Sequence, residues 1–149
     1  SLPGLGLYLS VLLRPDWPVV DSGIAATIGS LAVARALIKL KIRNITLKWP
    51  NDVLAGDHKI AGVLAEPRIA KDKIAFIVLG IGINVGHDAD ALKGPLNNRA
   101  TSCRLQGSNV TVEDVALALM PEMASIYAQA RKGETDKFFA EWLEFRGQP

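Results

Sequence analysis

The chain has 149 residues, 49% of them hydrophobic, which fits one globular domain with its own core and excludes a disordered segment. Its 17 basic and 15 acidic residues leave a net charge of +2, too small and too scattered to predict nucleic-acid binding. The one cysteine, Cys103, excludes an internal disulfide framework and is typical of a reducing compartment.

We expect neither a membrane span nor a secretory signal. The longest apolar run, residues 74–85, is too short to cross a bilayer and contains Gly80 and Gly82. The N-terminus carries no basic region ahead of an apolar stretch. The sequence therefore predicts a soluble protein of the cytoplasm.

The chain begins with the patterns of a strand and a helix. Leucine or valine occupies every second position from Leu5 to Leu13, as in a strand with one apolar face. Residues 22–40 then follow helical spacing, and Asp21 or Ser22 is the predicted N-cap.

A short strand and a hairpin are predicted next. Residues 44–49 alternate as a strand that places Trp49 on its apolar face. Pro50 ends this strand, because proline cannot donate to a sheet ladder. A hairpin follows, with its turn at residues 55–58 and its second strand from residue 59 to 66.

The second half predicts one interior strand and two helices. Residues 74–85 are apolar enough for the interior of a sheet, whereas residues 86–107 are irregular. A capping box at residues 111–114 begins one helix, and aromatic residues spaced helically over 138–145 mark another. This order predicts an α+β fold, with helices covering one face of a largely antiparallel or mixed sheet.

A cluster of charged and polar residues interrupts the apolar pattern at the predicted hairpin. Residues 48–52 read Lys-Trp-Pro-Asn-Asp, and residues 59–64 read Lys-Ile-Ala-Gly-Val-Leu. If Leu54 pairs with Lys59 across the turn, Asp52 and Lys59 share a face, because side chains alternate along a strand. A lysine beside exposed backbone suits a carboxylate or phosphate, but a solvated hairpin with an ordinary lysine fits the same spacing.

These two segments resemble the signature of biotin–protein ligases. Residues 80–85, Gly-Ile-Gly-Ile-Asn-Val, resemble the next characteristic strand of that family, and residues 7–10 and 100–102 match its pattern in order. The resemblance runs from about residue 3 to residue 142. Lipoate–protein ligases share the fold but usually lack the Trp-Pro that precedes Asn-Asp.

The resemblance implies the class II synthetase-like fold of biotin/lipoate ligase catalytic domains and a two-step reaction. Biotin and ATP give biotinyl-adenylate and pyrophosphate, and a lysine of a biotin carboxyl carrier domain then takes the biotin as an amide. ATP and Mg²⁺ are the implied cofactors, and biotin is the substrate.

Roles carry over to matching positions. Lys59 resembles the lysine that contacts the biotin carboxyl group and the adenylate phosphate. Asp52 resembles a residue near ATP that can hold Mg²⁺ or orient the attacking amine. The remaining candidates for biotin or nucleotide binding are Lys48, Asn51, Gly62, Val63, Leu64, Gly80, Gly82 and Asn84.

We predict that residues 1–149 form one biotin/lipoate ligase-type catalytic domain, which lacks two parts of the family pattern. The family's Gly/Arg-rich loop and its strands are expected before Ser1, and a small β domain is expected after about residue 147. We therefore expect weak activity, or none, from this chain alone. Exposed sheet edges also make a homodimer a reasonable expectation.

Other interpretations remain open at this point. The chain can be a non-catalytic module that binds biotin or nucleotide, or a lipoate–protein ligase. A dinucleotide fingerprint is disfavoured, because the third glycine after Gly80 and Gly82 is misplaced and no helix pattern follows. His58 and His87 lack partners at zinc-ligand spacing, and Cys103 is expected to be a buried small residue.

Overall fold

The computed structural model describes residues 4–93 and 99–146, which form one five-stranded sheet and three α-helices. The strands are β1 (Gly6–Leu13), β2 (Ile45–Lys48), β3 (Asp52–Ala55), β4 (His58–Ala70) and β5 (Lys73–Asn84). The helices are α1 (Ile24–Lys39), α2 (Val112–Arg131) and α3 (Thr135–Glu144), and a 3-10 turn, Val19–Gly23, leads into α1.

The sheet order is β1-β5-β4-β3-β2, and every neighbouring pair is antiparallel. The helices cover one face, where α1 packs on β2, β3, β4 and β5, and α2 packs on α1 and β1. The predicted α+β fold is confirmed, and β5 is an interior strand as expected.

Helix α1 lies at the centre of the core and is buried on nearly all sides. Its buried residues include Ile28, Leu31 and Leu37. At Gly29 the helix approaches the sheet so closely that an added Cβ would lie 2.7 Å from the Cγ1 atom of Val63. The stretch Val19–Lys39 is long and apolar enough to cross a membrane by composition, but half of that window is buried inside this fold.

The predicted cap of α1 is wrong. Asp21 and Ser22 lie within the 3-10 turn, and Gly23 occupies the N-cap position without a side-chain hydrogen bond. The turn itself supplies the helical entry geometry, since the amide of Asp21 already donates to the carbonyl of Pro18 at 3.0 Å. A polar residue before an apolar stripe therefore does not locate the N-cap when a 3-10 turn precedes the helix.

Strand β2 ends at Lys48, one residue earlier than predicted. Trp49 lies in the turn over residues 49–51 and is 74% exposed, so its predicted place on the apolar face is wrong. Ile45 and Leu47 do face the core. The chain leaves the sheet one residue before Pro50, so the apolar face of β2 contains Ile45 and Leu47 and does not include Trp49.

A β-bulge shapes the β3–β4 hairpin. Leu54 pairs with Lys59 as predicted, but Val53 pairs with Ala61, so Ile60 is an additional residue on β4. Ile60 and Ala61 are both buried although they are consecutive. The bulge therefore lets Lys59 and Gly62 face the same side, which the regular two-residue period forbids.

Helices α2 and α3 close the core, and both hydrogen bonds of the predicted capping box on Thr111 and Asp114 are present. The indole nitrogen of Trp142 donates to the hydroxyl of Ser30 at 3.0 Å, which joins α3 to α1. Arg35 on α1 forms ion pairs with Glu122 on α2 and Glu141 on α3.

Candidate active site

The sheet face opposite the helices carries the polar cluster. Directly paired residues of antiparallel strands project to the same face. Gly82 pairs with both Tyr8 and Gly62, Gly62 pairs with Asp52, and Asp52 pairs with Lys48. These five residues form one row across the whole sheet, which we call the polar row.

A groove of about 500 Å³ lies over this face. Seven of the predicted site residues line it, together with four others. The predicted members are Asn51, Lys59, Gly62, Val63, Leu64, Gly80 and Gly82, and the additional members are Tyr8, Leu9, Ser10 and Ile81.

The glycines keep the floor of the groove open. A Cβ added at Gly80 would meet only the carbonyl oxygen of Leu64 at 3.8 Å, and one at Gly82 would meet the ring of Tyr8 at 3.6 Å. Neither position needs glycine for packing within the protein. Both leave bare backbone on the open face, where a flat ligand can lie directly on the sheet.

Lys59 and Asp52 form an ion pair at the edge of the groove. The ammonium nitrogen lies 2.5 Å from the Oδ1 atom of Asp52, and the side chains are 46% and 27% exposed. The predicted shared face is confirmed. A partly solvated pair of this kind contributes at most about 1 kcal/mol to the stability of the fold. The ammonium group of Lys59 therefore remains accessible to a ligand.

The backbone of Lys59 is held on both sides. Its amide donates to the carbonyl of Arg99 at 2.7 Å, and its carbonyl accepts from the amide of Thr101 at 2.8 Å. The side-chain amide nitrogen Nδ2 of Asn84 donates to the backbone carbonyl of Thr101 at 3.0 Å. Asn84 thus fixes the segment that supports Lys59, and it is not among the groove-lining residues.

Two other predicted residues lie differently from the rest. Val63 contributes backbone to the groove, because its side chain is buried on the core side against Gly29. Lys48 is exposed at the end of the polar row, next to Asp52 and outside the groove lining.

Tyr8 and Ser10 are groove residues that the sequence interpretation missed. Tyr8 pairs with Gly82, and Ser10 pairs with Gly80, which places both on the open face. Two signals were available: the alternation of β1, which leaves these positions between the core leucines, and the match of residues 7–10 to the family pattern. Without the sheet order, nothing placed those positions beside the glycines of β5.

The other titratable candidates, His87 and Cys103, do not form a further site with one another or with acidic residues in the described part of the chain. Burial raises the pKa of the Cys103 thiol to about 11, so it is a poor nucleophile at neutral pH. Burial lowers the pKa of His87, whose imidazole is enclosed. Among residues 4–93 and 99–146, no three His, Cys, Asp or Glu side chains cluster as a metal site. A magnesium ion at Asp52 would rest on that carboxylate and on ligand phosphates.

The dinucleotide interpretation fails on geometry. Gly80 and Gly82 lie inside β5, and no helix follows them within residues 85–93. The fingerprint requires glycines in a turn between a strand and a helix.

Comparisons with known proteins agree on one family. The model of the biotin/lipoate A/B protein ligase family matches residues 2–84. The bifunctional ligase/repressor BirA of Bacillus spizizenii is 32% identical over 102 residues, which cover 68% of this chain and 31% of that protein. The biotin–[acetyl-CoA-carboxylase] ligase of Mycobacterium tuberculosis is 45% identical over 83 residues, covering 53% and 29%.

A solved structure is similar over almost the whole chain. The biotin protein ligase of Aquifex aeolicus in complex with biotin and ATP aligns with a TM-score of 0.78 and 27% identity, covering 95% of this chain and 58% of the other. The chain spans about a third of the length of the curated relatives that it matches.

Proposed function

This chain belongs to the biotin/lipoate A/B protein ligase family, and on that premise we propose that its open sheet face binds biotin and ATP and supports formation of biotinyl-adenylate. The second step of the proposed function is transfer of biotin to a lysine of a biotin carboxyl carrier domain. The observation that carries the proposal is the Lys59–Asp52 pair beside the glycine-floored groove.

The groove offers complementary parts for an acyl-adenylate. Gly80 and Gly82 leave room for a ring system against the backbone, and Leu64 adds an apolar wall. Lys59 stands at the polar edge, where a carboxylate or phosphate would compete with Asp52 for its ammonium group. The likeness to a ligase solved with biotin and ATP supports the same assignment.

In the first step a carboxylate oxygen of biotin attacks the α-phosphorus of ATP, and pyrophosphate leaves. Negative charge grows on the oxygens of the phosphorus centre. Lys59 is placed to stabilise that charge, and its anchored backbone keeps the cost of reorganisation small. Asn51 and Asp52 supply the amide and carboxylate oxygens that suit Mg²⁺, which would neutralise phosphate charge.

In the second step the amine of an acceptor lysine attacks the acyl carbon, and AMP leaves. Asp52 can orient that amine once the adenylate engages Lys59, because its carboxylate then loses its partner. Lys48 lies next to Asp52 in the polar row and adds positive charge at the same side of the sheet.

Binding calorimetry with biotin and with a non-hydrolysable biotinyl-adenylate analogue tests the site. Lys59→Gln is expected to weaken binding of the analogue about 10-fold to 100-fold, because one charge-assisted hydrogen bond is lost. Lys137→Gln, at an exposed position of α3, is the matched control and should bind as the unmodified chain does. Equal affinity for the two variants would remove Lys59 from the site.

Two further measurements separate the alternatives. Robust pyrophosphate release with biotin and ATP identifies a ligase and overturns the expectation that this chain alone has weak activity or none. Competition between lipoate and biotin decides the acyl substrate. The Trp49-Pro50 pair ahead of Asn51 supports biotin, since lipoate ligases usually lack it.

A further inference from the structure

Ser102 is a buried polar residue to which the proposed activity assigns no role. It is fully buried and is not among the groove-lining residues. Its hydroxyl group donates to the backbone carbonyl of His87 at 2.6 Å and accepts from the amide of Leu105 at 3.1 Å. This one side chain therefore joins residues 99–104, which we call the supporting segment, to the chain that leaves β5.

The supporting segment takes the place of a neighbouring strand beside Lys59. Pairing between β4 and β5 begins at Ala61, which lies opposite Ile83, two residues beyond Lys59. Ala100 forms a parallel bridge with Lys59 instead. Because the bulge at Ile60 releases Lys59 from the regular period of β4, the direction of its side chain depends on the backbone that holds it from this side.

Hydrogen bonds on both sides of Ser102 attach the supporting segment to the end of β5. The backbone carbonyl of Thr101 accepts from Asn84, and the amide of Cys103 donates to the backbone carbonyl of Asn84 at 3.0 Å. Thr101 and Cys103 are buried as well. Removal of the Ser102 hydroxyl group would leave the carbonyl that it serves without that donor inside the protein, which favours a shift of the segment.

We propose that Ser102 is a positioning residue for Lys59, and that it keeps the Lys59 ammonium group where the reacting phosphate of the adenylate lies. This inference rests on the proposed function of the groove. Ser102 acts through Thr101, whose amide donates to the carbonyl of Lys59 at 2.8 Å. The position of a stabilising charge matters, because a displacement of about 1 Å can lower a reaction rate as much as a hundredfold.

Ser30 on α1 provides a matched control. It is also a buried serine, and its hydroxyl group donates to the carbonyl of Thr27 at 3.2 Å and accepts from the indole nitrogen of Trp142 at 3.0 Å. Ser30→Ala therefore removes the same two kinds of hydrogen bond from the helical side of the fold. A general loss of stability should affect both alanine variants, whereas a change at Lys59 should follow only from the loss of the Ser102 hydroxyl group.

Amide hydrogen exchange measured by NMR tests the positioning directly. Ser102→Ala is expected to speed exchange of the Lys59 amide about tenfold relative to the amide of Leu79 in the core, and Ser30→Ala should not. Gln106→Ala, at an exposed position, removes the hydrogen bond from Gln106 to the hydroxyl group of Thr101 and should speed the same exchange about twofold, even if Ser102→Ala does not fold. Unchanged exchange at Lys59 in the folded variants overturns the proposal.

Calorimetry with the non-hydrolysable biotinyl-adenylate analogue tests the consequence for binding. Ser102→Ala should weaken binding about tenfold, and it should have no further effect in a chain that already carries Lys59→Gln. Normal affinity of the Ser102→Ala variant overturns the proposal, and so do losses that add fully in the double variant. Normal affinity of the Lys59→Gln variant overturns the proposed function, whereas the exchange rate of the Lys59 amide still reports on the positioning.

Discussion

The two faces of strand β5 have the same backbone and opposite roles. Ile77, Leu79, Ile81 and Ile83 face the helices and are buried. Gly80 and Gly82 alternate with them on the other side and form part of the groove floor. The face of β5 that contacts the helices stabilises the fold through burial of apolar side chains. The open face packs few side chains against the rest of the protein, so it remains available for a ligand.

Substitutions at two adjacent positions of β5, one on each face, should show the largest difference in the free energy of unfolding. Leu79→Ala is expected to lower the free energy of unfolding by about 2–5 kcal/mol, because it leaves a cavity in a close-packed core. Gly80→Ala should leave stability unchanged or raise it by about 0.5–1 kcal/mol, since its Cβ meets no close neighbour. Urea denaturation measures both variants, and similar losses at the two positions would contradict the division between faces.

A smaller effect is expected at Gly62 on the open face, where a substitution should change ligand binding and leave the stability of the fold nearly unchanged. A Cβ at this position would lie 3.1 Å and 3.2 Å from the Cε and Nζ atoms of Lys59. Gly62→Ala should displace the lysine and weaken binding of the biotinyl-adenylate analogue about tenfold, with little change in stability. In the double variant Gly62→Ala/Lys59→Gln the two effects should not add, because both act through one ammonium group. Additive losses in calorimetry would show that the added methyl group acts on the ligand directly.

The smallest expected effect is a change in stability at the ion pairs between α1 and α2. Hydrogen bonding to Lys39 is the main reason that the pKa of Glu122 lies below its ordinary value, and Arg35 adds to it. A carboxyl group with a lowered folded-state pKa stabilises the fold at neutral pH, and that contribution is lost as the pH falls through the lowered pKa.

Glu122→Gln should therefore cost about 1 kcal/mol at pH 7 and less at acidic pH. Urea denaturation between about pH 6 and pH 3 measures this difference, which should narrow as the carboxyl group of the unmodified chain is protonated. Glu144→Gln, at an exposed position of α3, is the control. A difference that stays constant with pH would assign the loss to packing.

Local patterns predicted most of the elements. The alternation of β1, the capping box on Thr111 and the Leu54–Lys59 pairing all depend on residues close in the chain, and all are confirmed. The errors occur where the tertiary environment decides. The cap of α1 lies in a 3-10 turn, and Trp49 lies in a turn outside β2.

The sequence by itself determined the fold class, because the order of strands and helices can be read from local patterns, and the resemblance of residues 48–52 and 59–64 to a family signature predicted the chemistry of the cluster. Only the tertiary structure decided which strands are neighbours. That choice brought Tyr8 and Ser10 to Gly82 and Gly80, and the bulge at Ile60 turned Lys59 to the face of Gly62. The physical reason is that strand order and register are set by burial of the whole core against α1, to which residues far apart in the chain contribute together.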